Sequence, residues 1–286
     1  MGMRALNDLP DPLARATPCE EAFRRIAVHC AEGFAEALAQ VQSSDDPHGP
    51  HKARVALRRL TTALDVFEPL LRRKRLAGLR AQAKGMFRAL GTLRDSDVHT
   101  EGREAEPGHK GRLRRNAALR GRVRKDLVAR KADAFAGRVA RLTAPDGEIW
   151  RRGAQARAMR AAPLGDFAAG MLGQVWADCQ SRGGAVSAMD PATRHEFRKD
   201  LKSMRYLAEF FAPLFPALSQ DPFGTDFQDI QDALGVLNDY QMALALDGRK
   251  PPAKLPGKQT RALVAAEAIW LRLTTAPLPW DGPAPG

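Results

Sequence analysis

The sequence predicts an all-α protein made of two similar halves. Leu, Ala and Arg dominate the 286 residues, Tyr occurs only twice, and runs of β-branched residues are scarce. Intrinsic preference therefore favours helix along almost the whole chain. A hydrophobic content of 44% is ordinary for a globular protein and is enough for a sizeable core. A pattern of basic and apolar residues also occurs twice, which indicates a duplication.

The first half, 17–142, is expected to hold four helices separated by turn-forming residues. A Thr-Pro pair begins the first helix, a cluster of Ser, Asp, Gly and Pro separates it from the second, and further Gly and Pro residues follow the third. Pro69 should bend or end the second helix, because proline has no amide donor and its ring clashes with the preceding turn. We place the four helices at about 17–42, 51–71, 74–98 and 112–141.

The second half, 164–275, repeats this plan after a weakly patterned connector. Pro213 has the same place in its second helix that Pro69 has in the first half. The four helices are expected at about 164–182, 191–215, 222–246 and 259–274. Residues 1–16 and 276–286 are rich in proline, and we expect flexible tails there.

A single shift of 144 residues superposes the two halves. His51 lies 44 residues before Asp95, and His195 lies 44 residues before Asp239. Each histidine begins a helix that runs on to Phe-x-Pro-Leu, and each aspartate ends a Leu-Gly-x-Leu-x-Asp segment. Two large copies are too few for a solenoid, so the duplication predicts two similar half-domains that face one another.

Each histidine helix carries a row of basic residues on one face. Basic residues follow the histidine at three and seven positions, a spacing that places them on the same side of a helix. The rows consist of His51, Arg54 and Arg58 in the first copy and of His195, Arg198, Lys202 and Arg205 in the second. A solvated helix face is the ordinary alternative for one such row. The same spacing in both halves favours a surface that binds a series of phosphates.

A second basic row is expected on the third helix, where basic residues recur every four positions. The row consists of Arg80, Lys84 and Arg88, with Arg94 just beyond it. The matching stretch 224–238 of the second half contains no Lys or Arg, so we expect the halves to contribute unequally. Asp95 and Asp239 are expected to orient a nearby arginine by charge-assisted pairing rather than to act as catalytic carboxylates.

The net charge of +12 and the sequence pI of about 10.2 favour polyanionic partners. Positive charge is densest at 103–141, where 13 basic residues stand against four acidic ones. We expect this stretch to capture and steer an anion more than to make specific contacts. Arginine outnumbers lysine and suits bidentate phosphate binding, although a GC-rich coding bias gives the same excess.

The remaining sequence features argue against metal, disulfide and membrane roles. Cys19, Cys30 and Cys179 are odd in number and far apart, which indicates neither a disulfide framework nor a zinc knuckle. His48 and His51 lack accompanying carboxylate or cysteine ligands, so we predict no metal and no other cofactor. The N-terminus has no apolar signal segment, and no run of about 18 apolar residues occurs. We expect a cytoplasmic protein without a membrane partner.

Four motifs in the same order make the chain similar to a known family. They are His51-Lys52-Ala53-Arg54 with Arg58-Arg59, Leu90-Gly91-Thr92-Leu93-Arg94-Asp95-Ser96-Asp97-Val98, His195 to Tyr206, and Leu234 to Asp239. With these motifs the chain resembles the CHAD family, the conserved-histidine α-helical domain, over about 17–275. Thr61 departs from the family pattern, which often has a basic residue ten positions after the histidine, as Arg205 is in the second half.

The resemblance implies two four-helix bundles related by a pseudo-twofold axis, with a basic central groove that binds long-chain inorganic polyphosphate without catalysis. Together with Lys84 of the third helix, the binding residues that it implies are His51, Arg54, Arg58, Arg59, Arg88, Arg94, His195, Arg198, Lys202 and Arg205. Some family members carry a triphosphate-processing domain ahead of this one, and we expect none here because the N-terminus is short. Polyphosphate-granule targeting, regulation and scaffolding are the open cellular roles, and the oligomeric state is also open.

Two rival functions use the same residues. Nucleic-acid binding agrees with the charge, but proteins that bind single strands use aromatic stacking platforms, and only Tyr206 accompanies a basic row. A phosphohydrolase would use the two histidines and two aspartates. However, the glycine of histidine phosphatases, a metal-dependent His-Asp pair and a Walker loop are missing from the sequence. We therefore expect a non-enzymatic protein whose partner is inorganic polyphosphate, with nucleic acid as the alternative.

Overall fold

The computed structural model describes residues 9, 11–101, 108–246 and 254–281. Over these residues the chain forms ten α-helices and no β-strand, which confirms the predicted all-α class. The helices are α1 (Cys19–Ser43), α2 (His48–Val66), α3 (Arg73–Thr100), α4 (His109–Ala129), α5 (Phe135–Thr143), α6 (Ala154–Ala161), α7 (Leu164–Ser181), α8 (Pro191–Phe211), α9 (Phe223–Leu246) and α10 (Gly257–Thr275). Within these ranges no helix is both long and apolar enough to cross a membrane.

Contacts between residues divide the chain into two compact units. The first unit holds α1 to α6 within Thr17–Pro163, together with the stretch that ends at Asp11. The second unit holds α7 to α10, from Leu164 onward, together with Pro12–Ala16. In the first unit α2 packs against α1 and α3, and in the second unit α8 packs against α7 and α9. Each histidine helix thus lies beside the helix that carries the Leu-Gly-x-Leu-x-Asp segment.

The first unit contains six described helices where the sequence predicts four. The single helix expected at 112–141 is wrong, because the chain breaks it into α4 and α5 around Lys131, whose φ is 54°. The Lys131 amide donates to the Val128 carbonyl at 2.9 Å and the Ala132 amide donates to the Leu127 carbonyl at 3.1 Å, the pairing of a Schellman cap. Glycine usually marks such a cap, and a lysine there hides the break in the sequence. The sixth helix, α6, lies in the connector.

The two prolines end the histidine helices as predicted. The α2 helix stops at Val66, and Pro69 lies in a short 3-10 turn, Glu68–Leu70. The α8 helix stops at Phe211, two residues before Pro213. Proline cannot continue the helical hydrogen-bond ladder, so the chain leaves the helix before it.

Each unit is built around its own aromatic core. In the first unit Phe23 contacts Phe67 and Trp150, with ring centroids 5.3 and 5.7 Å apart. In the second unit Trp270 contacts Phe197 at 4.8 Å and Trp176 at 5.2 Å. Phe67 directly follows α2 and Phe197 lies on α8, and both are fully buried. The cores therefore fix the two helices that carry the basic rows.

The described parts of the two tails pack against the protein. Leu13 is buried, and Trp280 is buried beside Trp176, with ring centroids 6.2 Å apart. One apolar side chain thus anchors each described stretch, 11–16 and 276–281, and the flexibility of the tails stays a prediction. The rest of that prediction lies outside the described residues, at 1–8, 10 and 282–286.

Candidate anion-binding site

Helices α2 and α3 bring predicted basic residues of the first unit together. Two guanidinium groups of α2 lie over one aromatic ring of α3: the Cζ of Arg54 is 4.3 Å and that of Arg58 is 5.1 Å from the centroid of Phe87. Cation–π attraction therefore holds both cations at the junction of the two helices. We define the first basic face as Arg54, Arg58, Lys84, Arg88 and Arg94.

Gly91 makes room for the Arg54 guanidinium. A methyl group built at Gly91 would overlap Nη1 of Arg54. Phe87 lies one turn earlier on the same helix, so the ring and the glycine together form a seat for this side chain. Glycine thus occupies this position of the Leu-Gly-x-Leu-x-Asp segment because an arginine from α2 approaches it closely.

The cations around Arg54 exceed the anions that act on it. Burial lowers the pKa of the Arg54 guanidinium, Asp95 opposes this shift, and Arg58 and Arg94 add to it. No ion pair joins Asp95 to an arginine within the described residues, so the predicted charge-assisted pairing is reduced to a longer-range attraction. Three like charges are therefore held near one another with partial neutralisation.

The other predicted residues of the first unit differ in exposure. Lys84 and Arg88 are exposed, one turn apart on α3. Arg94 is half-buried and lies 3.7 Å from a carboxylate oxygen of Glu101. His51 is exposed in the first turns of α2. Arg59 is buried, with 8% of its surface exposed, so little of this predicted binding residue is accessible to a ligand.

Arg80 does not belong to the basic row that the sequence suggests for α3. Its Nη2 donates to Glu68 at 2.8 Å and lies 2.5 Å from Asp65. The same nitrogen is 3.5 Å from the Leu64 carbonyl. Arg80 therefore ties α3 to the end of α2, and the interpretation of this residue as part of an anion-binding row is wrong.

Helices α8 and α9 form the corresponding site in the second unit. Nδ1 of His195 and Oδ1 of Asn238 are 3.2 Å apart, which joins the first turns of α8 to the second half of α9. A methyl group built at Gly235 would lie 3.7 Å from Nη2 of Arg198, an ordinary contact. We define the second basic face as His195, Arg198, Lys202 and Arg205. Arg198 thus lies beside a glycine as Arg54 does, but less tightly.

Arg205 is partly neutralised within its own helix. Its Nη1 donates to Glu209 at 2.5 Å, and its Cζ lies 4.6 Å from the ring centroid of Tyr206. The acid four residues after the arginine is the sequence signal that identifies this pair. Lys202 is half-buried between Arg198 and Arg205 along the same helix. We therefore expect Arg198 to contribute more to anion binding than Arg205 does.

The basic stretch near α4 divides into structural and exposed residues. Arg120 pairs with Asp97 at 2.7 Å, and Arg124 donates to the Val41 carbonyl at 2.7 Å. These two arginines hold α4 against α3 and α1. The exposed basic residues of α4 are Lys110, Arg114, Arg115, Arg122 and Lys125. The exposed face of α4 therefore carries fewer positive charges than the sequence indicates, and its role in capturing an anion stays a prediction.

Two kinds of site residue escaped the sequence analysis. Phe87 is an aromatic residue one turn before the motif glycine, and that spacing is the signal for it. Arg194, Asn238 and Gln241 line a pocket in the second unit; Asn238 takes the variable position of the repeated segment, and Arg194 and Gln241 lie outside the repeated motifs. Among the residues that the structure describes, no cluster of three or more His, Cys, Asp or Glu side chains is suited to hold a metal ion.

Solved structures of other proteins have a similar architecture. The structure is similar to the CHAD domain of the plant Ricinus communis, with a TM-score of 0.65 and 19% identity over 98% of this chain and 93% of that one. It is also similar to PptA from Streptomyces chartreusis, with a TM-score of 0.56 and 16% identity over 93% of this chain and 100% of that one. No curated protein matches the sequence.

At these identities the structural likenesses establish the fold alone. The sequence evidence comes from the family model for the CHAD domain, which matches residues 25–246. This range includes α2, α3, α8 and α9, which carry both basic faces. The match covers most of the chain and coincides with a shared fold, so this protein belongs to the CHAD domain family.

Proposed function

We propose that this protein binds long-chain inorganic polyphosphate through its two basic faces and does not catalyse a reaction on it. The observation that carries the proposal is the seat of Arg54, where Phe87 and Gly91 hold one cation close to two others. Cations that crowd one another and are only partly neutralised destabilise the unliganded protein, and an anion removes that repulsion. The family resemblance, which implies polyphosphate binding, supports the same ligand.

Polyphosphate suits these faces better than a nucleic acid does. A base needs an aromatic face on which to stack. The Phe87 ring is already covered by Arg54 and Arg58, and Tyr206 is buried with Arg205 beside it. The basic faces therefore offer charge and donors but, within the described residues, no open stacking platform. A chain of regularly spaced anions without bases matches that chemistry.

The specificity test is a titration of the full chain with long-chain polyphosphate and with duplex and single-stranded DNA, at matched anion concentration and two salt concentrations. We expect polyphosphate to bind more tightly than either DNA at both salt concentrations, and its affinity to fall as salt rises because counterions are released. DNA affinity equal to that for polyphosphate would contradict the proposal and favour a nucleic-acid partner.

The absence of catalysis is tested separately by incubating the protein with polyphosphate and measuring phosphate release. We expect release no faster than that of the His51→Ala, His195→Ala double variant. Release that disappears in this double variant would show that the protein is a phosphohydrolase. The assay is run with and without added divalent cations, so that a metal-dependent reaction is detected.

The proposed function also predicts where in the cell the protein acts. Binding of long chains would place the protein at polyphosphate granules, and co-localisation with stained granules tests this role.

The arrangement of two four-helix bundles about a pseudo-twofold axis with a basic central groove, which the family resemblance implies, stays a prediction. The 144-residue spacing between the motifs supports it.

A further inference from the structure

A small pocket in the second unit lies between the first turns of α8 and the second half of α9. Arg194, His195 and Arg198 line it from α8, and Asn238 and Gln241 line it from α9. Pro191, Leu234 and Leu237 complete the lining. The described lining residues include no acid, so the pocket combines two cations with neutral polar groups and an apolar wall.

Both arginines of the pocket have an unused donor. The Nε atoms of Arg194 and Arg198 are buried and have no acceptor among the described residues. Arg194 is held in place because its Nη2 donates to the Met189 carbonyl at 2.6 Å. Asp190 acts on Arg194 electrostatically, but one of its oxygens already accepts from the Thr193 amide at 2.7 Å. Buried charged donors without acceptors are costly, and an oxyanion that accepts from both removes that cost.

The neutral groups favour the same ligand. Because Oδ1 of Asn238 is engaged with His195, the amide nitrogen of Asn238 is left as a donor, and Gln241 supplies a second amide. Two guanidinium groups and two amides suit a tetrahedral anion with several free oxygens. The leucines offer no donors to further anions, so the polar groups of the pocket suit one phosphate group better than a continuous chain.

Two of the matching positions in the first unit carry residues of different chemistry. The residues 144 positions before Arg194 and Gln241 are Pro50 and Asp97. Asp97 is buried and accepts from Arg120 at 2.7 Å, so an acid replaces a neutral donor there. Arg194 and Gln241 are therefore lining residues that the repeat does not share with the first unit.

We propose that this pocket binds a terminal phosphate group, either the end of a polyphosphate chain or free inorganic phosphate. The inference rests on the proposed function, because it treats the second basic face as part of a phosphate-binding surface. A terminal phosphate has one more ionisable oxygen than an internal one and carries close to two negative charges at neutral pH. The two half-buried arginines, Arg194 and Arg198, distinguish these groups by charge, and the apolar wall offers no donors to the rest of the chain.

The test compares linear triphosphate, which has two ends, with cyclic trimetaphosphate, which has none. Binding is followed by calorimetry and by the ³¹P resonances, in which terminal and internal groups are separate. The variant is Arg194→Gln, and the matched control is Arg261→Gln, an exposed arginine of α10 in the same unit. Inorganic phosphate forms a third arm of the titration.

We expect triphosphate to bind with its terminal resonance perturbed, and Arg194→Gln to weaken it by about tenfold, since one charge-assisted hydrogen bond is lost. The control should change affinity by less than about twofold. Trimetaphosphate should bind weakly, and neither substitution should change its affinity. If inorganic phosphate shows the same loss in Arg194→Gln, the pocket also takes free phosphate. Equal binding of the linear and cyclic forms, or equal effects of the two variants, would overturn the inference.

Long-chain polyphosphate separates this inference from the function on which it rests. Long chains have few ends, so Arg194→Gln should weaken their binding by less than about threefold. If the wild-type protein binds long chains but the triphosphate results contradict the pocket, the inference alone fails. If the wild-type protein does not bind long chains, the proposed function itself fails.

Discussion

At the scale of single residues, the glycine of the Leu-Gly-x-Leu-x-Asp segment determines how closely an arginine approaches. A methyl group at Gly91 would overlap Arg54, whereas one at Gly235 would leave Arg198 in ordinary contact at 3.7 Å. The sequence shows the glycines and the arginines at matched spacing, but it does not show that they meet. That information depends on the packing of α2 on α3 and of α8 on α9.

Replacing the two glycines by alanine should therefore have different effects. We expect Gly91→Ala to weaken polyphosphate binding by about threefold to tenfold, because the Arg54 guanidinium must leave its seat. Stability should not fall, because alanine favours helix by about 0.5–1 kcal/mol and the displaced atom is the end of a flexible side chain. Titration and thermal unfolding of Gly91→Ala and Gly235→Ala check this, and equal affinities for the two variants would contradict the seat.

Phe87 is expected to position Arg54 and Arg58 for the ligand. Phe87→Leu removes the ring and should lower polyphosphate affinity by about threefold or more, while Phe87→Trp should restore it, since a cation–π contact contributes about 0.5–1 kcal/mol at such a site. Polyphosphate titrations of both variants at low salt make the measurement. A loss of affinity in Phe87→Trp as large as in Phe87→Leu would show that the ring acts only through packing.

At the scale of secondary-structure elements, a buried ion pair holds α4 on α3. Arg120 and Asp97 are 2.7 Å apart with 3% of each side chain exposed, and Asn116 also donates to Asp97 at 2.8 Å.

Helix bounds are close to what the hydrophobic periodicity predicts, since α7 to α10 begin and end within about four residues of the expected positions. The sequence analysis does not predict the acidic partners of three arginines, which are Asp97 for Arg120, Glu68 for Arg80 and Glu209 for Arg205. Most such pairs join residues that come together only in the folded chain.

Removing one partner of the buried pair should destabilise the first unit. Asp97→Ala leaves the buried Arg120 cation with only the more distant, exposed carboxylate of Asp45 at 3.6 Å, and we expect a loss of about 3 kcal/mol in the free energy of unfolding. The comparison is Asp126→Ala, which breaks the exposed pair with Arg130 and should cost about 0.5 kcal/mol or less. Urea unfolding followed by circular dichroism measures both, and similar losses would contradict a structural role for the buried pair.

At the scale of the whole molecule, each unit carries its own basic face and its own buried thiols. Cys19 and Cys30 lie in the first unit and Cys179 lies in the second, and all three are buried. Burial raises the pKa of the Cys19 thiol to about 11 and the pKa of Cys179 well above its ordinary value. The thiolate is the reactive form, so these cysteines should react only when their unit opens. The all-α class and the +12 charge follow from composition and two halves follow from the repeat, whereas the placement of Pro12–Ala16 with the second unit does not.

Thiol labelling can therefore report the stability of each unit separately. We expect iodoacetamide to leave all three cysteines unmodified in the native protein at pH 7.5, and to label each one as urea opens its unit. Saturating polyphosphate should slow the labelling of Cys19, Cys30 and Cys179 alike, since a ligand of the folded state stabilises the unit that it binds. Mass spectrometry of the labelled peptides gives the three rates. Protection limited to one unit would contradict binding by both faces.

The central claim, that the seated arginines of both faces bind polyphosphate, is tested most directly by one titration. Wild-type protein is compared with the Arg54→Ala, Arg198→Ala double variant and with a control double variant, Arg157→Ala, Arg261→Ala. The control removes one exposed arginine from each unit and so the same charge. We predict that long-chain polyphosphate affinity falls by about 100-fold in the first double variant and by less than about threefold in the control, with helicity unchanged in both. Equal affinities for the two double variants would show that net charge, and not the two basic faces, binds the ligand.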